Sequence, residues 1–163
     1  MKVYMDVCCL NRPFDAQTQE RIRLESEAVL LVLERCERRE WDLVVSEAIF
    51  WEIAQMLDPV RKEKVLALVT IASEEIKVTS QVVERAKELT QMGFKPYDAL
   101  HIACAEVGSA SIFLTTDDRL LRKAKRLRRL LRIRVENPVH WLMEVIADEG
   151  KNDDAKSIAG SGN

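Results

Sequence analysis

The chain has 163 residues, 47% of them hydrophobic and 32% charged, with a formal net charge of −2. That length fits one domain with a full core, and the composition excludes a disordered chain. The apolar runs fall far short of the ~18 residues a membrane span needs. The opening stretch carries an acid and no small-residue cleavage site, so no signal peptide is read there.

Residues 1–11, MKVYMDVCCLN, read as an extended segment. Val3, Met5 and Val7 lie on one face and Tyr4 on the other, as in a strand covered on both sides. The polar turn Asn11-Arg12-Pro13 closes it, and Asp6 stands where the strand should end. Residues 17–39 lack Gly and Pro, and Ile22, Val29, Val32, Leu33 and Cys36 recur at helical spacing, which predicts a long amphipathic helix. A second strand is expected over 42–45. Ser46 caps a helix over 47–57, and Asp58-Pro59 breaks to another over about 60–73. A third strand is expected at 76–78, then a helix over 81–92 ended by Gly93.

Lys95-Pro96-Tyr97-Asp98 opens a helix to 107, followed by a fourth strand over 111–114. Thr115-Thr116-Asp117-Asp118 turns into a basic helix over about 119–130. A fifth strand is expected at 132–135, and Pro138 starts a last helix to 147. The expected domain is therefore 1–147, with 148–163 a polar, unstructured tail. Strands alternating with helices imply a small, about five-stranded parallel sheet flanked by helices.

Cys8, Cys9, Cys36 and Cys104 show neither CxxC spacing nor a disulfide framework. They fit reduced, mostly buried thiols in a cytoplasmic protein. Charge is unevenly distributed. Nine of the 25 Lys and Arg fall between Arg119 and Arg134 with no acid among them, leaving 16 bases against 27 acids elsewhere. A basic segment on an acidic body points to an anionic partner, with Arg119, Arg122, Lys123, Lys125 and Arg126 as candidate phosphate contacts.

Acids stand near the strand ends or helix starts: Asp6, Glu47 and Glu52, Asp98, Asp117 and Asp118. In a parallel sheet these ends meet at one rim, where ligands bind. Three or four carboxylates gathered there repel one another, and a hard divalent cation relieves the repulsion. The cation also polarises a phosphoryl oxygen. Acids, metal and a basic segment together suggest phosphodiester hydrolysis. Each acid also has a plainer reading. Asp98, Asp117 or Asp118 serves a helix start, and Glu52 is a solvated helix residue. Asp6 is hardest to dismiss, because an acid among buried strand residues is costly without a partner. His101 shares a helix face with Asp98 and reads as structural, because no second His stands at metal spacing.

Four stretches in this order, VYMDVCCLN, SEAIFWE, YDALHIACAE and IFLTTDDRLL, resemble the PIN domains, and among them the VapC-like ribonuclease toxins. The resemblance spans residues 1 to about 145. It implies a three-layer α/β/α fold and an Mg²⁺- or Mn²⁺-dependent endoribonuclease. It matches Asp6, Glu52, Asp98 and Asp117 to the family's acidic quartet, with Asp6, Asp98 and Asp117 on the metal, and Thr115 to its usual hydroxyl. It also implies a homodimer and a small antitoxin partner. Two departures stand out. Cys8 and Cys9 occupy the place of a Thr or Ser, with Asn11 as a substitute polar contact. Glu47 is an extra acid, leaving open which Glu reaches the metal. The alternative is a non-catalytic RNA- or protein-binding module on the same fold. A phosphatase-like hydrolase of the haloacid-dehalogenase pattern is set aside, because Cys8 stands where that pattern needs a second Asp.

Overall fold

The computed structural model describes residues 1–160. Its centre is a parallel sheet in the order β3-β2-β1-β4-β5. The strands are β1 (Lys2–Met5), β2 (Asp42–Ser46), β3 (Glu74–Ile76), β4 (Ile112–Leu114) and β5 (Val135–Glu136). The helices are α1 (Val7–Asn11), α2 (Glu20–Glu37), α3 (Glu47–Ala54), α4 (Pro59–Val69), α5 (Ser80–Gln91), α6 (Pro96–Val107), α7 (Asp118–Arg126) and α8 (Pro138–Gly160). This is the expected α/β architecture. Among the described residues no helix is long and apolar enough to cross a membrane.

β1 is central because it is apolar on both faces. Val3, Tyr4 and Met5 are fully buried, and Tyr4 stacks on Phe113 of β4. β3 lies at an edge, where its exposed Glu74 and Glu75 discourage further pairing. The chain moves from β1 outward through β2 to β3, then crosses back to β4 and β5. Right-handed crossovers therefore send the helices of the two halves to opposite faces. α5 packs on α6, and α8 on α2. Trp41 and Trp141 meet where α8 closes over the body, with Arg35 over the Trp41 ring. The reversal of strand order falls between β1 and β4, so their carboxyl ends bound a crevice.

The boundaries differ from the sequence reading in several places, and three of the helices, α2, α3 and α4, end earlier than expected. The first strand stops at Met5, because the Asp6 side chain accepts the Cys9 amide proton and starts α1, so Val7–Asn11 is helical. β3 lies two residues earlier than expected, since the Val78 amide is held by Glu47 instead of a strand. β5 is short and late, because the Arg132 amide is drawn to Glu106. The basic helix ends at Arg126 and passes into a separate 3₁₀ turn, Arg128–Leu130.

The expected tail is also corrected. α8 runs on through Gly160. Its extension holds an i,i+3 pair between Lys151 and Asp148, and Glu149 accepts both Nη groups of Arg35 on α2. Residues with ordinary helix propensity need only such anchoring to continue a helix already nucleated. The last three positions of that tail, 161–163, lie outside the described residues.

Candidate active site

The site is built on the carboxyl ends of β1 and β4. The Asp6 amide donates to the Leu114 carbonyl at 3.2 Å, which locks the two strand ends together. The Asp6 carboxylate is buried and accepts from the Cys9 amide at 2.9 Å. Burial pushes its pKa up from 3.8 to about 6, against hydrogen bonds from Thr115 and Cys9 and the pull of His101. Thr115, wholly buried, also accepts the Asp117 amide at 3.1 Å. One hydroxyl thus links the first strand's acid to the turn that carries the fourth.

Glu52 comes from α3, whose start is capped by Ser46. Its carboxylate meets His101 Nε2 at 2.7 Å, His101 Nδ1 meets the Tyr4 hydroxyl at 2.7 Å, and that hydroxyl meets Ser46 Oγ at 2.7 Å. The roles follow from the Glu52 oxygen as the acceptor at the end of the chain of bonds. His101 donates from Nε2, accepts the Tyr4 proton at Nδ1, and Ser46 donates to Tyr4. Burial pushes the Tyr4 hydroxyl's pKa well up, which keeps it a donor. A buried relay from β1 through α6 therefore fixes the Glu52 side chain. The sequence reading assigned His101 to structure without finding its partners. The available signal was a Tyr on a buried strand face, whose hydroxyl needs a partner.

Asp98 sits half-buried in the first turn of α6. Burial raises its pKa first and the neighbouring Asp117 charge second, with Glu52 adding to the effect. Asp117 caps α7, accepting from the Arg119 and Leu120 amides at 2.9 and 3.3 Å. The Cys8 thiol shows the convergence best. Its pKa is driven up first by Asp6, then by burial, then by Asp117, Glu52 and Asp98. Four acids from four separate segments thus act on one thiol.

Two other acids point elsewhere. Glu47 accepts the Val78 amide at 2.7 Å, tying α3 to the segment after β3. Asp118 forms a two-pronged pair with Arg21 at 2.6 and 2.7 Å.

A cleft of about 520 Å³ opens over this region, with Cys8, Asn11, Arg12, Glu52, Arg61 and Asp117 in its wall. None of Arg119, Arg122, Lys123, Lys125 and Arg126 lines it. Arg122 and Lys125 face a separate cleft of about 1010 Å³, Lys123 bonds the Gly93 carbonyl, and Arg126 lies in a third hollow. Arg12 and Arg61, which the sequence reading passed over, are the Lys or Arg side chains of the acidic cleft among the described residues.

The donor set can be tested against a divalent cation. Among the described residues no three His, Cys, Asp or Glu side chains are grouped so as to hold an ion directly. The oxygens present nevertheless suit a hard cation that takes one or two carboxylates and keeps its waters. Asn11 Oδ1 is buried without a hydrogen-bond partner, an acceptor left unused beside these acids. Cys8 and Cys9 are soft donors, which suit a hard cation less well than the oxygens beside them.

A model of the PIN domain matches residues 18–126. The chain belongs to the PIN domain family. The matched span includes Glu52, Asp98 and Asp117, and Asp6 precedes it. The PIN fold is also seen in the likeness to the crystal structure of VapBC2 from Rickettsia felis bound to a DNA fragment from their promoter. There the identity is 11% and the TM-score 0.53, over 84% of this chain and 98% of that one. At that identity the two share a fold and nothing finer. No curated protein matches the chain.

Proposed function

We propose that this PIN domain is a divalent-metal-dependent endoribonuclease that hydrolyses RNA phosphodiester bonds. The observation that carries the reading is the placement of Asp6, Asp117 and the His101-held Glu52 by hydrogen bonds near the strand ends where the sheet order reverses, with Asp98 in the first turn of α6. Asp6, Asp98 and Asp117 would hold Mg²⁺ or Mn²⁺, one or two of them directly and the rest through its waters, with Asn11 Oδ1 as a further oxygen donor. When bound, such an ion supplies neutralising charge and Lewis-acid polarisation of a phosphoryl oxygen. Glu52 takes the proton from the attacking water. His101 keeps that carboxylate aimed through its 2.7 Å bond, and Tyr4 keeps His101 in the tautomer that donates to it. The raised Cys8 pKa argues against a thiolate nucleophile.

The solved neighbour is a VapBC complex. By analogy of fold alone, the proposal extends to a toxin role for this chain, with a small antitoxin protein as its partner, in the cytoplasm.

The test is cleavage of a mixed RNA panel, transfer RNA included, with Mn²⁺, Mg²⁺ or chelator, by this protein and by Asp6→Asn. Metal-dependent cleavage absent from the variant supports the reading. RNA binding without cleavage by either protein, in a preparation free of co-purified partner, overturns it in favour of a non-catalytic module.

A further inference from the structure

The acidic cleft poses a problem that its carboxylates cannot solve. A polyanion must approach Glu52, Asp117 and Asp15 in its wall, and the long basic segment does not line it. Two guanidinium groups do. Arg61 on α4 donates from Nη1 to Asp15 at 2.6 Å and from Nη2 to the Phe14 carbonyl at 2.9 Å. Arg12, in the turn after α1, donates to the other Asp15 oxygen at 3.1 Å and lies 3.1 Å from Glu25. One carboxylate therefore holds both guanidinium groups. Glu25 is buried and also meets Arg21 at 3.3 Å, which fixes Arg12 from behind. Arg12 Nε is buried with no hydrogen-bond partner.

Each guanidinium has five N–H donors, and these contacts engage only some of them. Side-chain exposure is 20% for Arg12 and 32% for Arg61, so both are held in place yet reachable. Planar forks suit phosphate oxygens and lose little entropy when already ordered.

From this we infer that Arg12 and Arg61 form the phosphate clamp of the cleft, gripping the backbone phosphate of a single-stranded RNA beside the bond to be cut. The inference rests on the nuclease reading for its substrate class. It assigns close-range grip to these two residues, not to the basic segment.

The experiment uses the full chain carrying Asp6→Asn, so that RNA is bound and not consumed. Binding of a fluorescent single-stranded oligoribonucleotide of about twelve nucleotides is followed by anisotropy across a salt series. Arg61→Gln should weaken binding about tenfold and lower the salt slope by about 0.7, the value of one lost phosphate contact on a single strand. Arg61→Lys should recover the slope but not the full affinity. Arg38→Gln removes an equal charge from the exposed Arg38–Glu34 pair on the surface of the fold and serves as control. Arg12→Lys, which keeps a cation beside Glu25, should weaken binding more than this control.

Arg61→Gln binding indistinguishable from Arg38→Gln overturns the clamp, as does absence of RNA binding by the parent. Metal-dependent cleavage with an unchanged KM in Arg61→Gln with Asp6 intact also removes the clamp and leaves the nuclease. Arg61-dependent binding without any cleavage by the protein with Asp6 intact keeps the clamp and removes the nuclease.

Discussion

The two clefts of this molecule differ in kind. The smaller, about 520 Å³, carries charges of both signs over a buried acid, and its polar groups are tied by short hydrogen bonds to β1, α3 and β4. The larger, about 1010 Å³, is lined by apolar residues such as Leu121 and Ile133 and also by charges of both signs, among them Glu20, Asp118, Arg122 and Lys125. Volume alone favours the second as a ligand site. Chemistry favours the first, because beside it burial raises the carboxyls of Asp6 and Asp98, whereas the larger cleft pairs its charges, Asp118 with Arg21 and Glu136 with Arg134. A large apolar hollow is what helices leave when they fail to close over a sheet edge. A small cleft crowded with acids is retained against its own repulsion.

That contrast can be broken at its strongest point by removing site acids. Asp98→Asn should abolish metal-dependent cleavage, and Glu52→Gln should lower it by about 10² to 10⁴-fold, the usual worth of a positioned base. Single-turnover assays with the fold checked by circular dichroism decide this. Activity retained in both variants would shift attention to the larger cleft.

The next effect is on stability. Burial raises the Asp6 pKa from 3.8 to about 6, so the folded chain holds that proton more tightly than the unfolded one. The group's stabilising contribution is complete below about pH 4 and is lost as pH rises through about 6. The metal-free Asp6→Asn protein should therefore gain up to about 3 kcal/mol at pH 7.5, from a shift of roughly two pKa units, and little at pH 4. Urea titrations at both values measure this, and an equal change at the two would show that the carboxylate is not strained.

A smaller cost is expected for Tyr4→Phe, which strips the partner from His101 Nδ1 and from Ser46. One buried acceptor left unsatisfied costs about 1–3 kcal/mol. Cleavage should fall with it, through a looser Glu52. A drop in melting temperature with full activity would make the relay a matter of stability alone.

The smallest effect should come from the larger cleft. Arg122→Gln with Lys125→Gln should change cleavage at 0.15 M salt by no more than about threefold, since charges beyond the ~8 Å Debye length are largely screened. A loss as large as that of Glu52→Gln would erase the distinction between the clefts.

The sequence by itself determined the alternation of strands and helices, because side-chain period and breaker residues act locally. It also marked Asp6, since a carboxylate within an apolar strand run is costly wherever the chain goes. The short helix after Asp6 was missed because an N-cap and a continuing strand look alike until Cys9 is seen donating to Asp6. The extension of α8 was missed because its anchor, Arg35, lies far away in sequence. Tertiary structure alone decided between Glu52 and Glu47 as the acid held beside the cleft, since the Val78 amide captures one and His101 the other. It alone also kept the basic segment out of the lining of the smaller cleft and put Arg12 and Arg61 there. Which charges share a cleft depends on strand order and crossover, and a linear pattern of residues does not encode distances across a sheet.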